Sequence, residues 1–193
     1  MTEAEMLDQV VQRLRKSRIP FMVVGSVASS FHGEPRLSFD IDIVVEADQP
    51  RILEFVRSFD EPFYVSEEAA REAIARRGMF NVVHPDCDQK ADIILCKRDD
   101  FNRGEFARKV PAVVWGVPVD LATPEDTILA KLAWGKRSGS ERQRNDAMGI
   151  LRAQQSNLDM EYLKRWAVDL GVEETLDRLL RELASPPTGR EES

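Results

Sequence analysis

At 193 residues and a formal net charge of −7, the chain is long enough to bury a full core. It is too acidic to hold nucleic acid over its whole surface, which takes a basic protein. An apolar content of 42% and a charged content of 32% fit a soluble globular protein. No apolar run approaches the ~18 residues of a membrane span, so no membrane partner is expected. The start, Met1-Thr2-Glu3-Ala4-Glu5, lacks the basic and apolar segments of a signal peptide, and a cytoplasmic location is expected. Cys87 and Cys96 are separated by eight residues, form no CxxC motif, and read as packed thiols in a reducing compartment.

Residues 3–17 place Met6, Leu7, Val10, Val11 and Leu14 at helical spacing, and Pro20 ends that element. Phe21 to Val24 is a short apolar run that reads as a strand. Gly25-Ser26 then opens a helix-like segment that His32 and Gly33 close. The next apolar run carries Asp40 and Asp42 into Ile43-Val44-Val45, and reads as a largely buried strand. Over 48–59, Asp48 is an N-cap, Pro50 lies in the first turn, and Ile52, Leu53, Phe55 and Val56 share a face. Ser66 starts a further helix that Gly78 stops. Met79 to His84 and Lys90 to Cys96 are strands, joined through the turn residues Pro85, Asp86 and Asp88.

Residues 109–121 predict a hairpin about Trp115-Gly116, with Pro111 and Pro118 pushing its strands toward a sheet edge. Thr123-Pro124-Glu125-Asp126 is a helix start, with Thr as N-cap, Pro at the first helical position and acids in the first turn. Helical spacing then runs to about Ala184, interrupted near Ser138-Gly139, Ser156-Asn157 and Gly171. Trp134, Leu163 and Trp166 are expected in the core, and His32 is expected to be packed. His84 has no cysteine or histidine neighbours for zinc. Lys131 to Arg152 holds six basic residues against two acidic ones, a candidate RNA patch or a solvated helix face. The organisation expected is a core over 1–122, a helical segment over 123–184 and a disordered tail over 185–193.

The chemistry concentrates between Phe21 and Glu46. Alternate residues of a strand share a face, so Asp40 and Asp42 point the same way, about 7 Å apart. Two such carboxylates repel each other, and a divalent cation between them removes the conflict. Gly25-Ser26 offers close backbone approach, N–H groups at a helix start and a hydroxyl, which suits a phosphate. Asp92 interrupts the apolar strand KADIIL, where a carboxylate needs a cation or a hydrogen-bond partner unless it faces water at an edge.

Gly25-Ser26, Arg36-x-Ser38 and Asp40-Ile41-Asp42, with 13 residues between Ser26 and Asp40, resemble the signature of the DNA polymerase beta-type nucleotidyltransferase superfamily. The resemblance implies an α+β fold, a mixed sheet flanked by helices, followed here by a C-terminal helical segment. It implies a third carboxylate on a strand beside Asp-x-Asp, a role that Asp92 fills. Asp40, Asp42 and Asp92 would be catalytic and hold Mg²⁺ or Mn²⁺. Gly25, Ser26, Arg36 and Ser38 would bind the NTP, whose NMP group passes to a hydroxyl of RNA, of a protein or of a small molecule such as an aminoglycoside.

Pro124-Glu125-Asp126, Lys131 and Arg144-Asn145-Asp146 are further similar to small nucleotidyltransferase toxins of the abortive-infection type. That implies phosphate binding by Lys131, support from Asp146, a possible tRNA acceptor and an antitoxin-type protein partner. The C-terminal part is shorter than in the longer toxins. Read without the resemblance, Lys131 is equally a surface lysine, and Asp146 an i,i+4 partner of Arg142. A second class of function stands beside the enzyme: an inactive binding module of the same fold, one half of a toxin–antitoxin or regulatory pair.

Overall fold

In the computed structural model, residues 1–36, 40–86 and 90–184 are described; Ser38, Cys87 and the expected disordered tail over 185–193 lie outside them. The chain opens on α1 (Glu3–Lys16). A capping box starts it: the Thr2 hydroxyl accepts from the Glu5 N–H, and the Glu5 carboxylate accepts from the Thr2 N–H at 2.8 Å. Its buried stripe is Met6, Leu7, Val10, Val11 and Leu14, as the spacing predicts. Next come β1 (Phe21–Val23), α2 (Gly25–His32), β2 (Asp40–Val45) and α3 (Gln49–Arg57), the last capped by Asp48. Then follow β3 (Tyr64–Val65), α4 (Glu67–Arg76), β4 (Met79–Val83), β5 (Lys90–Leu95) and α5 (Asp100–Arg108). The hairpin β6 (Val110–Val114) and β7 (Val117–Leu121) precedes α6 (Pro124–Ser138), α7 (Glu141–Gln154), α8 (Met160–Asp169) and α9 (Glu173–Ala184).

The strands form one mixed sheet in the order β3-β4-β5-β2-β1-β7-β6. β2 runs parallel to β5 and antiparallel to β1, and β7 joins β1 through a single parallel pairing, Val23 with Leu121. Pro111 lies on the edge strand β6, as its missing N–H demands. Pro118 lies in β7, where only Leu121 pairs with β1. Trp115 and Gly116 turn the hairpin, both at positive φ (50° and 84°), the backbone that matches strand twist in a two-residue loop.

β2 is not buried on both faces. Ile41, Ile43 and Val45 are buried, whereas Asp40, Asp42 and Val44 alternate with them on a half-exposed face. The expectation of a largely buried strand came from its apolar content; the alternation leaves the aspartates on the open side. Two elements carry too little periodicity to be expected at all: the two-residue strand β3 and the helix α5, which Asp99 caps by accepting from the Asn102 N–H.

Two apolar clusters divide the interior. One unites the sheet with α1, α2, α3 and α4; the other unites α6, α7, α8 and α9 with Phe101 of α5. A charged junction joins α5, α6 and α8. Asp126, fully buried, accepts from the Thr123 hydroxyl (2.7 Å), from Arg108 Nε (3.2 Å) and from the Tyr162 hydroxyl (2.6 Å). Trp134 departs from expectation: it is 54% exposed, with the Arg137 guanidinium 5.2 Å above its ring. Its helical position was compatible with the core, but the α6 face that packs is that of Ile128, Leu129 and Leu132. Trp166 is partly buried against Phe101, and Leu163 is fully buried. No helix among the described residues is long and apolar enough to cross a membrane.

Candidate active site

The site begins with strand register. β2 and β5 pair so that Asp40 is opposite Lys90 and Asp42 is opposite Asp92. Paired residues on adjacent parallel strands point to the same face, about 4.8 Å apart. The four side chains therefore form a square of three carboxylates and one ammonium. Asp92, which the resemblance implies on a strand beside Asp-x-Asp, lies on β5 next to β2 and is only 5% exposed.

β1 delivers Gly25 and Ser26 to the same corner. The Val24 N–H donates to the Asp42 carbonyl at 2.9 Å, which ties the end of β1 to β2. Gly25 has φ +65°, and a Cβ built on it would lie 2.0 Å from Asp42 Oδ2. Only glycine admits the carboxylate so near the start of α2. The Ser26 hydroxyl donates to the Asp40 carbonyl at 3.3 Å. Burial raises the Asp42 carboxyl above its usual range, the Asp92 charge raises it further, and Lys131 and the Ser26 backbone hydrogen bond act in the opposite direction.

α6 and α7 supply the second half. Lys131 Nζ donates to Asp146 Oδ2 at 2.7 Å, with both side chains 7% exposed. Arg36, four residues after α2, donates to the same carboxylate with two nitrogens, at 2.8 and 2.9 Å. Such a forked contact fixes both geometry and charge. Burial alone would raise the Asp146 carboxyl; the hydrogen bonds from Arg36 and Lys131 outweigh it and hold it low. Burial lowers the Lys131 ammonium, against the pull of Asp146. Burial thus works against the Lys131 charge, while the hydrogen bonds favour the Asp146 charge. The geometry favours the charged pair, because two cationic groups converge on one carboxylate.

Two members of the site were not singled out from the sequence. Lys90 Nζ lies 3.0 Å from each Asp92 oxygen and 3.5 Å from Asp40 Oδ1. Asn81, the β4 register partner of Asp92, donates its side-chain amide to the same carboxylate. The signal for Lys90 was present, since it precedes Asp92 by two residues and must share its face. Nothing local marked Asn81, whose role depends on the pairing of β4 with β5.

Gly25, Ser26, Asp40, Asp42 and Asp92 thus meet where β1, β2 and β5 lie side by side, and Lys131, with its Arg36–Asp146 neighbours, is near enough for its charge to act on Asp42. Carboxylate oxygens on one face of adjacent strands are the donor set that a hard divalent cation takes, so Asp40, Asp42 and Asp92 fit a metal in kind. Among the described residues no three His, Cys, Asp or Glu side chains converge as a ligand group: Asp42 turns toward Gly25, and Asp92 is held by Asn81 and Lys90. Other residues considered in the sequence have partners within the fold. His32 Nε2 is 2.7 Å from the Ala122 carbonyl, and burial lowers its pKa. Cys96 is buried, its thiol pushed up to about 11 by that burial. Within the basic run, Lys136 donates to the Gly171 carbonyl, Arg144 pairs with Glu182, and Arg152 lies 3.9 Å from Glu34.

By sequence the chain matches no protein-family profile and no curated protein. By structure it is similar to the antibiotic-resistance factor ANT(2'')-Ia, with TM-score 0.60 at 12% identity over 93% of this chain and 97% of that one. It is also similar to an antigenic nucleotidyltransferase-like protein from Paracoccidioides brasiliensis, with TM-score 0.57 at 16% identity over 93% of this chain and 92% of that one. What is shared at such identities is the fold: a mixed α+β nucleotidyltransferase-like core, a sheet flanked by helices, followed by C-terminal helices.

Proposed function

We propose that the chain is a metal-dependent nucleotidyltransferase that moves an NMP group from an NTP to a hydroxyl acceptor. The observation that carries this reading is the register of Asp42 against Asp92, with Asp40 on the same face and the Gly25–Ser26 helix start alongside. Clustered carboxylates that repel one another are a cost to the fold unless they do work there. The acceptor oxygen attacks the α-phosphorus, the bond from that phosphorus to the bridging oxygen breaks, and pyrophosphate leaves.

Mg²⁺ or Mn²⁺ bound by Asp40, Asp42 and Asp92 would neutralise triphosphate charge and acidify the acceptor hydroxyl. The chain's own residues position the rest. Gly25 lets a phosphate approach the backbone, and the N–H groups that open α2 supply donors. Lys131 adds a positive charge whose place Asp146 sets, and Arg36 anchors the loop to that same carboxylate. Asn81 keeps the Asp92 carboxylate oriented. Catalysis of this kind rests on positioning and charge more than on covalent chemistry. In this reading residues 1–122 form the catalytic core, and 123–184 bring Lys131 and Asp146 to it. The Lys131–Asp146 contact brings together two residues of the narrower toxin-like resemblance, and that resemblance extends the proposal to an RNA acceptor and an antitoxin-type partner.

Calorimetric titration with each of the four NTPs, with and without Mg²⁺, tests the reading on the wild type and on Asp40→Ala/Asp42→Ala. Metal-dependent binding that the variant loses is expected. A folded wild type that binds no NTP sinks the enzyme and leaves the binding module.

A further inference from the structure

We propose that Lys90 is a built-in counter-ion of the carboxylate site, which a divalent cation must displace in order to bind; the inference rests on the nucleotidyltransferase reading above. The strand register places Lys90 directly across from Asp40, and its position two residues before Asp92 puts it on the same face. Its Nζ bridges the two carboxylates, 3.0 Å from both oxygens of Asp92 and 3.5 Å from Asp40 Oδ1. A cation shared by Asp40 and Asp92 would claim the same oxygens, so ammonium and metal exclude each other.

The surroundings suit displacement. The Lys90 side chain is 40% exposed and can swing into water, whereas that of Asp92 is 8% exposed and stays in place. Asn81 donates to Asp92 independently of Lys90, so the ligand keeps its orientation once the ammonium leaves. A lysine is a compact point charge on a flexible stem, which can leave without disturbing the strands. A bare cation gains nothing from the ammonium it evicts. A metal–NTP complex brings phosphate oxygens within reach of the evicted ammonium. Lys90 is therefore a positioning residue that favours the metal–nucleotide complex over the metal alone.

The test measures Mn²⁺ binding to nucleotide-free protein, by the paramagnetic resonance signal of unbound Mn²⁺. The proteins are the wild type, Lys90→Met, Lys90→Gln, Lys90→Arg and Asp42→Asn, each confirmed as folded by its melting transition. Lys90→Met and Lys90→Gln should bind Mn²⁺ about three- to tenfold more tightly, a range that allows for screening of a partly exposed charge. Lys90→Arg should stay near the wild type, Asp42→Asn should lose the ion, and neither neutral variant should gain affinity for Mn²⁺–ATP. Unchanged or weaker Mn²⁺ binding in the neutral variants, with loss in Asp42→Asn, overturns the role of Lys90 and leaves the metal site standing. An Asp42→Asn protein that still binds Mn²⁺ as the wild type does puts the ion elsewhere and overturns both, as does a wild type and variant set that binds no Mn²⁺.

Discussion

The carboxylate of Asp42 fills the space that a side chain at Gly25 would need: its Oδ2 lies 2.0 Å from the Cβ position of that glycine, which sits at φ +65°. The two requirements reinforce each other. The backbone there is one that L side chains avoid, at a cost of about 1–2 kcal/mol, and the overlap adds to it. Gly25→Ala should lower the melting temperature by several degrees, since each kcal/mol is worth roughly 2–4 °C in a chain of this size. It should also push Asp42 out of the site and abolish metal-dependent NTP binding. Calorimetry that finds wild-type affinity in a stably folded Gly25→Ala protein would show that the close approach is incidental.

Asp42 itself is held against its preference. Burial and then the Asp92 charge raise its carboxyl, so the ionised form weakens the fold at neutral pH. Asp42→Asn keeps an oxygen for the Ser26 amide and removes the charge. Its melting temperature at pH 7 should equal or exceed that of the wild type while NTP binding in Mg²⁺ disappears. A clear drop in melting temperature would mean that the charge stabilises the site.

The Lys131–Asp146 pair should behave as a buried clasp between α6 and α7. Asp146→Ala leaves the Lys131 and Arg36 cations without their carboxylate, and breaking a buried pair costs about 3 kcal/mol. The corresponding fall in melting temperature is roughly 6–12 °C. The double variant Lys131→Met/Asp146→Leu should recover part of that loss, because it removes the more buried of the two cations left unpaired and leaves only the partly exposed Arg36. Strict additivity of the single effects would contradict the clasp. Lys131→Ala should also weaken NTP binding; unchanged affinity returns the lysine to a structural role.

Glu105 on α5 predicts a pH dependence away from the site. Burial first, then the charges of Asp126 and Asp99, push its carboxyl from 4.5 up to about 8. Between those values the folded chain holds a proton that the unfolded chain has released. Stability therefore falls as pH rises through that window and levels off above it, by an amount on the order of a few kcal/mol. Glu105→Gln should flatten this component. Melting curves from pH 5 to 9 that decline equally in both proteins would remove Glu105 as the source.

The sequence by itself determined what depends on near neighbours. Helix spacing with the caps Asp48, Ser66 and Thr123 set most element boundaries. The two-residue period placed Asp40 and Asp42 on one face, and Gly25 marked the approach to α2. Tertiary structure decided the partners. Asp146 binds Lys131, 15 residues away, and Arg36, 110 residues away, rather than its helical neighbour Arg142. Trp134 stays exposed because α6 packs through another face. Asn81 joins Asp92 only because β4 lies against β5 in one register. Local periodicity fixes which way a side chain leaves its own element. Which group it then meets depends on strand order, register and helix docking, and those are set by burying the whole apolar surface at once.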